Sequence, residues 1–347
     1  MLELWYGIVA VMLTAYVVLD GYDLGSGALH LFLARGDRER RQVLAAIGPY
    51  WDANEVWLLA TGGALFVGFP RVLASGLSGF YFAIFLVLWC LILRGISVEF
   101  RSHVSDRHWR AFWDVGFGIA SILLAVFFGA ALGNLIRGLP LNAEGWFGLT
   151  LFTDFTARPP VGILDWYTVS AGVFALLVLA WHGANWLSWK TDGAVHERAE
   201  SFGTWLTRLV TLLWPLMTWA TASVNADLFR NFPGRPIAWI GLILALFGML
   251  LAWRRKPAGG VGPFLGSCAF ITGLMVGTAA CVWPVMLRAV PDAAASVTAH
   301  TGGNDAAGLS VAIRWWMLGF PIAIAYFVVL FRLHRGKARA AADGEGY

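Results

Sequence analysis

Apolar residues in this chain gather into nine runs, roughly 4–33, 44–69, 74–98, 113–136, 163–187, 203–224, 236–253, 262–287 and 310–332, with short polar linkers between them. An α-helix rises about 1.5 Å per residue and crosses a bilayer core in about 20 residues, so each run has the length of one crossing. The pattern predicts an all-α integral membrane protein of nine transmembrane helices within a single membrane domain, 1–347. It divides into a first four-helix bundle over 1–136, a second over 163–287, and a ninth helix at 310–332. Four spans, four more and a ninth permit two structurally related bundles, although no sequence repeat is visible. Small residues four apart, at Gly21/Gly25, Gly129/Gly133, Gly262/Gly266 and Gly273/Gly277, predict close helix contacts.

The linkers alternate in charge, and that alternation carries the orientation. Basic residues cluster at Arg35–Arg41, Arg101–Arg110, Lys190–Arg208, Arg254–Lys256 and Arg332–Arg339, and the intervening linkers hold few. Positive linkers stay inside, so the N-terminus is expected in the periplasm and the C-terminus in the cytoplasm. The first run begins with Glu3 rather than a basic segment and continues past Asp20 and Asp23 without a small-residue cleavage site, which reads as a retained span. The two longer outside segments, 137–162 and 288–309, have the Pro, Gly, Asn and Asp content of ordered or partly ordered loops.

Composition agrees with the pattern. Apolar residues make up 59% of the chain, charged residues 13%, and the mean hydropathy is +0.67, which excludes an ordinary soluble domain. The net charge of +4 sits in short clusters rather than one stripe, so no nucleic-acid partner is expected. Cys90, Cys268 and Cys281 lie in apolar runs without CxxC or Cys/His spacing and are expected to be inert thiols, not a disulfide framework or metal site. Nothing resembles a phosphate-binding loop, a dinucleotide fingerprint or a hydrolase elbow.

Chemistry is concentrated in the second run, where GPYWDANEVWLLATGGALF (48–66) places Asp52 and Glu55 inside a membrane-length segment. Such a charge costs roughly 2.5–3.5 kcal/mol at mid-span, so it needs a cation, water or a retained proton. Trp51 and Trp57 flank the pair and are expected to pack the niche. Asp23 lies twelve residues before Arg35 and Asp52 eleven after Arg41, so both fall about 17 Å from the inner boundary if each segment is one helix. Asp20 lies one turn further out, near the depth of Glu55. Arg94 on the third span returns toward this level as the expected cation, with Asp23 as its partner. Deep in the fifth run, His182 could ligate haem iron, but no second intramembrane histidine pairs with it, and a hydrogen-bonded interior histidine is the expectation.

At this point the residues resemble subunit II of the cytochrome bd-type quinol oxidases. The resemblance is carried by LDGYDLGSGAL (19–29), RERR (38–41), IGPYWDANEVWLLATGGALF (47–66), LSGFY (77–81), LRGISVEFR (93–101) and WRAFWDVGFGIAS (109–121). It is dense from residue 16 to 137, with RGLP (137–140) a last local echo. Position 53 is Ala where many members carry Gly. The resemblance implies a nine-span, haem-free subunit of a complex in the bacterial cytoplasmic membrane that oxidises quinol and reduces dioxygen to water. Haem b and haem d would belong to a partner, the haem-bearing subunit I, and this chain would hold no catalytic residue, metal or cofactor of its own. A structural quinone and small accessory membrane subunits are compatible with the resemblance. By position, Asp23, Asp52, Trp51 and Arg94 match the family's polar motif, and Asp20 and Glu55 join them in a proton-pathway niche. Two other functions fit the residues: an autonomous proton-coupled transporter with Asp52 and Glu55 as coupling site, and a scaffold whose acids only fix helix register.

Overall fold

A computed structural model describes residues 1–148, 150–254 and 260–339, which form thirteen α-helices and one short hairpin. Arg255 and Lys256 of the expected fourth basic linker lie outside the described residues. Helix α1 (Leu2–Leu33) runs unbroken for 32 residues, about 48 Å. It is followed by α2 (Asp37–Ile47), α3 (Trp51–Gly68), α4 (Pro70–Gly79), α5 (Tyr81–Phe100), α6 (Arg107–Arg137) and α7 (Trp166–Lys190). The second half comprises α8 (Gly193–Val224), α9 (Ala226–Asn231), α10 (Pro236–Trp253), α11 (Gly262–Val282), strands β1 (Val285–Leu287) and β2 (Val297–Thr298), then α12 (Ala299–Gly302) and α13 (Ala306–Leu333).

Three expected runs are broken by local chemistry. The run at 44–69 is two helices, because Pro49 has no N–H to continue the ladder and Tyr50 N–H closes a turn on Ile47 O at 2.8 Å. The run at 74–98 is divided at Phe80, between α4 and α5. There the segment after α6 approaches so closely that a Cβ on Gly79 would sit 2.2 Å from the Phe147 ring. The run at 262–287 leaves the helix at Val282, ahead of Pro284, and β1 pairs antiparallel with β2. Leu139 joins this hairpin region, donating from N–H to Arg288 O at 2.8 Å and accepting from Val290 N–H at 2.9 Å, so the 137–162 and 288–309 segments are tied together.

Among the described residues seven helices, α1, α5, α6, α7, α10, α11 and α13, are long and apolar enough to cross a membrane. Helices α3 and α8 occupy the other two expected spans with more polar sequence. Helix α1 is the axis of the packing and touches α3, α6, α7 and α11. It meets α7 backbone to backbone: a Cβ on Gly25 would lie 1.8 Å from Leu179 O, and one on Gly183 2.3 Å from the Gly25 carbonyl carbon. Of the expected small-residue pairs, Gly129/Gly133 seats α6 on α7 and Gly273 seats α11 on α10, whereas Gly262 faces open space. Helix α13 buries only Leu309. Its C-terminal end is fixed where His334 O accepts from Tyr50 Oη at 2.9 Å and Lys190 Nζ at 2.8 Å.

The α1–α7 contact makes a direct prediction. Gly25→Ala forces the two backbones apart, and overpacking of this kind costs about 1–3 kcal/mol. The variant is expected to unfold at lower temperature in detergent, followed by circular dichroism. An unchanged transition would show that the helices do not pack through this glycine.

Candidate functional site

Three helices deliver the buried charges to one level. Asp20 and Asp23, three apart, lie on one side of α1; Glu55 comes from α3 and Arg94 from α5. Arg94 is 1% exposed and lies between two acids, with Nη1 2.7 Å from Asp20 Oδ1 and Nη2 bonded to Glu55 Oε1. The Asp20 contact is an ion pair without hydrogen-bond alignment, since neither Asp20 oxygen has a hydrogen-bond partner. Asp23 is held differently: its Oδ2 accepts from Asn54 Nδ2 at 2.7 Å. The same amide nitrogen lies 2.8 Å from Tyr22 Oη and 3.1 Å from Leu19 O, three acceptors for two protons. Tyr16 Oη, Ser26 Oγ, Asp23 Oδ1 and Asn54 Oδ1 are also buried without a protein hydrogen-bond partner. Buried polar atoms of this kind are where ordered water binds.

Full ionisation of Asp20, Asp23 and Glu55 against one guanidinium would leave two uncompensated negative charges in an apolar bundle, a costly arrangement.

Two expectations are corrected here. Arg94 pairs with Asp20 and Glu55, and Asp23 pairs with Asn54, a residue the sequence reading passed over because an amide carries no charge. Asp52 does not join the cluster: it is exposed, at the head of an outward stripe continued by Val56, Leu59, Gly63 and Phe66. The depth count assumed one helix from Arg41 onward, and the turn at 48–50 resets the helical phase, so Asn54 rather than Asp52 faces Asp23. The flanking tryptophans also separate. Trp51 packs over Gly95, next to Arg94, whereas Trp57 faces α13 with its ring 6.1 Å from Phe320 and 5.6 Å from Phe327.

His182 is fully buried, with Nε2 2.9 Å from Val18 O and Nδ1 2.7 Å from Ser267 Oγ. A carbonyl only accepts, so Nε2 carries the proton, and Nδ1 shares the single Ser267 hydroxyl proton with Phe264 O, 2.8 Å from the same oxygen. Both nitrogens are thereby occupied. Among the described residues no group of three or more His, Cys, Asp or Glu side chains is arranged to hold a metal ion.

Two further charge clusters escaped the sequence reading. At the end of the molecule that carries the 35–41 and 101–110 linkers, Asp114 accepts from His30 Nε2 (2.7 Å), Arg40 Nη1 (2.8 Å) and Arg101 Nε (2.6 Å). At the opposite end Arg137 bonds to Asp165 and donates to Gly162 O at 3.0 Å and Asn134 Oδ1 at 2.8 Å. Asp165 also caps α7, accepting from Tyr167 and Thr168 N–H. The sequence signal was an acid near each end of a span with arginines in the adjoining linker.

The fold and these clusters can be set beside known proteins. Residues 1–334 match the family described as cytochrome bd terminal oxidase subunit II. The chain is 30% identical over 351 residues to the probable cytochrome oxidase subunit 2 of Haemophilus influenzae, covering 94% of this chain and 92% of that one. It is 33% identical over 291 residues to cytochrome bd-I ubiquinol oxidase subunit 2 of Escherichia coli K12, with 74% of each chain covered. The Bacillus subtilis cytochrome bd ubiquinol oxidase subunit 2 is 31% identical over 259 residues, 74% of this chain and 73% of that one. A chain from the bd oxidase structure of Geobacillus thermodenitrificans has the same fold, with a TM-score of 0.72 at 15% identity, covering 96% of this chain and 98% of its own. Helices, buried charges and relatives together define a multi-pass membrane subunit of a bacterial respiratory oxidase. The chain belongs to the cytochrome bd terminal oxidase subunit II family.

Removing the shared cation tests this geometry. Arg94→Gln leaves Asp20 and Glu55 without their partner and is expected to destabilise the chain by about 3–5 kcal/mol, the usual loss for one half of a buried pair. Asp52→Asn, at an exposed position, is expected to stay within about 0.5 kcal/mol. Denaturant unfolding of both variants in mild detergent distinguishes them, and equal stabilities would contradict the pairing.

Proposed function

We propose that this chain is the haem-free half of a quinol:dioxygen oxidoreductase, supporting a haem-bearing subunit I and passing protons toward it through the Asp20–Asp23–Glu55–Arg94 niche. The observation that carries the reading is two carboxyls, Asp20 and Glu55, sharing the Arg94 guanidinium beside a third acid, Asp23, that has only the Asn54 amide, inside a chain of this family. A lipid-facing acid costs roughly 2.5–3.5 kcal/mol, so the stripe headed by Asp52 favours a partner's surface over lipid. Asp52 lies less than one turn from Glu55, whose side chain is 24% exposed, and serves as the hand-over point to the partner. Haem b and haem d belong to that partner and supply the oxygen chemistry; this chain's residues hold and move protons.

Nine spans are proposed, with α3 and α8 added to the seven apolar helices, the N-terminus periplasmic and the C-terminus cytoplasmic. The convergence of the basic linkers supports this orientation. Arg101 reaches Asp37, Arg198 reaches Glu39 at 2.5 Å and Leu33 O at 2.6 Å, and Lys337 reaches Thr191 O at 2.9 Å, all at one end. Residues 1–136 and 163–287 then form two bundles joined through α1 and α7, with α13 beside α3.

A second reading, a scaffold whose charges only fix register, is favoured by the double pairing of Arg94, since ion pairs of this kind hold helices in place without moving protons.

Two experiments test the proposal. In the assembled complex, Asp52→Asn is expected to keep normal haem content while oxygen consumption falls about 100-fold, the scale of losing one positioned proton-transfer group. Full turnover with normal haem would leave the scaffold reading. For orientation, Arg158→Cys is expected to react with an impermeant thiol reagent on intact cells and Arg38→Cys to be protected; the reverse pattern inverts the topology.

A further inference from the structure

We propose that the cytoplasmic ends of α2, α5 and α6 bind the phosphate of an anionic phospholipid, an inference that rests on the membrane orientation proposed above. Helices α2 and α6 cross there through reciprocal pairs, Arg40 Nη1 to Asp114 Oδ2 at 2.8 Å and Arg110 Nη1 to Asp37 Oδ2 at 2.9 Å. Arg101, 1% exposed, lies between them and donates from Nε to Asp114 at 2.6 Å and from Nη2 to Asp37 at 2.9 Å. All four carboxylate oxygens are therefore engaged. Yet Arg101 Nη1 and Arg40 Nε remain buried without a hydrogen-bond partner.

The surplus of positive charge extends beyond these two donors. Segments 35–41 and 99–114 carry seven arginines against five carboxylates, so cations remain after every acid is assigned. Arg38 and Arg107 are exposed at the rim. Basic sites between helices on the cytoplasmic side are suited to anionic headgroups, because the local negative potential and the phosphate both act on the same guanidinium groups.

Neighbouring aromatics select a lipid over a soluble anion. Phe100, Phe112 and Trp109 surround Trp113 with ring centroids 5.9, 4.9 and 5.6 Å away, the kind of cluster found at headgroup level. From that cluster Phe112, Val115, Ile119 and Leu123 continue along α6 as an exposed apolar stripe, a track for an acyl chain leading away from the arginines. Inorganic phosphate matches the cations but not the stripe. A zwitterionic lipid matches the stripe but carries its own cation beside the phosphate.

The test uses the complex with its haem-bearing partner, exchanged into nanodiscs of phosphatidylcholine with or without phosphatidylglycerol and examined by native mass spectrometry. Phosphatidylglycerol is expected to stay bound after phosphatidylcholine has been stripped. Arg38→Gln and Arg107→Gln should each weaken its retention about fivefold. Among the described residues neither arginine forms an ion pair, so both variants should assemble with normal haem, which separates failure of this inference from failure of the oxidase reading. Arg110→Gln should weaken retention as well; if that variant loses haem, the two rim variants decide. Equal retention of both lipids, unchanged retention in the rim variants, or displacement of the lipid by inorganic phosphate would overturn the proposal.

Discussion

A charge inside an apolar bundle must be answered within hydrogen-bond reach, and three arginines, each at most 2% exposed, make those answers hold the fold together. Arg94 joins α1, α3 and α5 through Asp20 and Glu55. Arg101 joins the α5–α6 turn to α2 and α6 through Asp37 and Asp114, and Asp114 brings in His30 of α1. Arg137 joins α6 to the start of α7 through Asp165. The planar fork of guanidinium suits this work, because one side chain can bind acids from two helices at once. The three sites differ in completeness. Arg137 is closed by backbone carbonyls, whereas Arg94 and Arg101 leave buried donors unused.

Close backbone contact makes the arginine sites possible. With Gly25 against Leu179 and Gly183, α1 sits deep enough among α3, α6 and α7 for short aspartate side chains to reach their partners. A bulkier seam would push Asp20 and Asp23 away from Arg94 and Asn54. Packing and electrostatics are therefore one constraint seen from two faces of the same helix.

The sequence made the membrane class, the run positions and the common level of Asp20, Asp23, Glu55 and Arg94 legible, because apolar length and isolated charges are local signals. It misled about Asp52, since a single Pro-containing turn rotates everything after it and no periodicity within an apolar segment records that rotation. It was silent on Asn54, whose role depends on facing Asp23 across a helix interface. The Asp114 cluster was invisible for the same reason: its partners lie 13 to 84 positions from Asp114, and each alone looks like an ordinary linker or span-end residue. Short-range pattern gives elements and long-range pairing gives sites.

The bond from Tyr50 to His334 O spans 284 positions. Tyr50 also packs edge-on against Tyr22, which reaches Asn54 and so belongs to the border of the acidic niche. While the chain is being inserted, that border has no lock until α13 has left the ribosome and entered the bilayer. A nascent chain stalled before its last helix would thus leave Lys190 and Tyr50 lacking their common acceptor. Completion of the chain is written into those two side chains, which the last helix alone supplies with their shared acceptor.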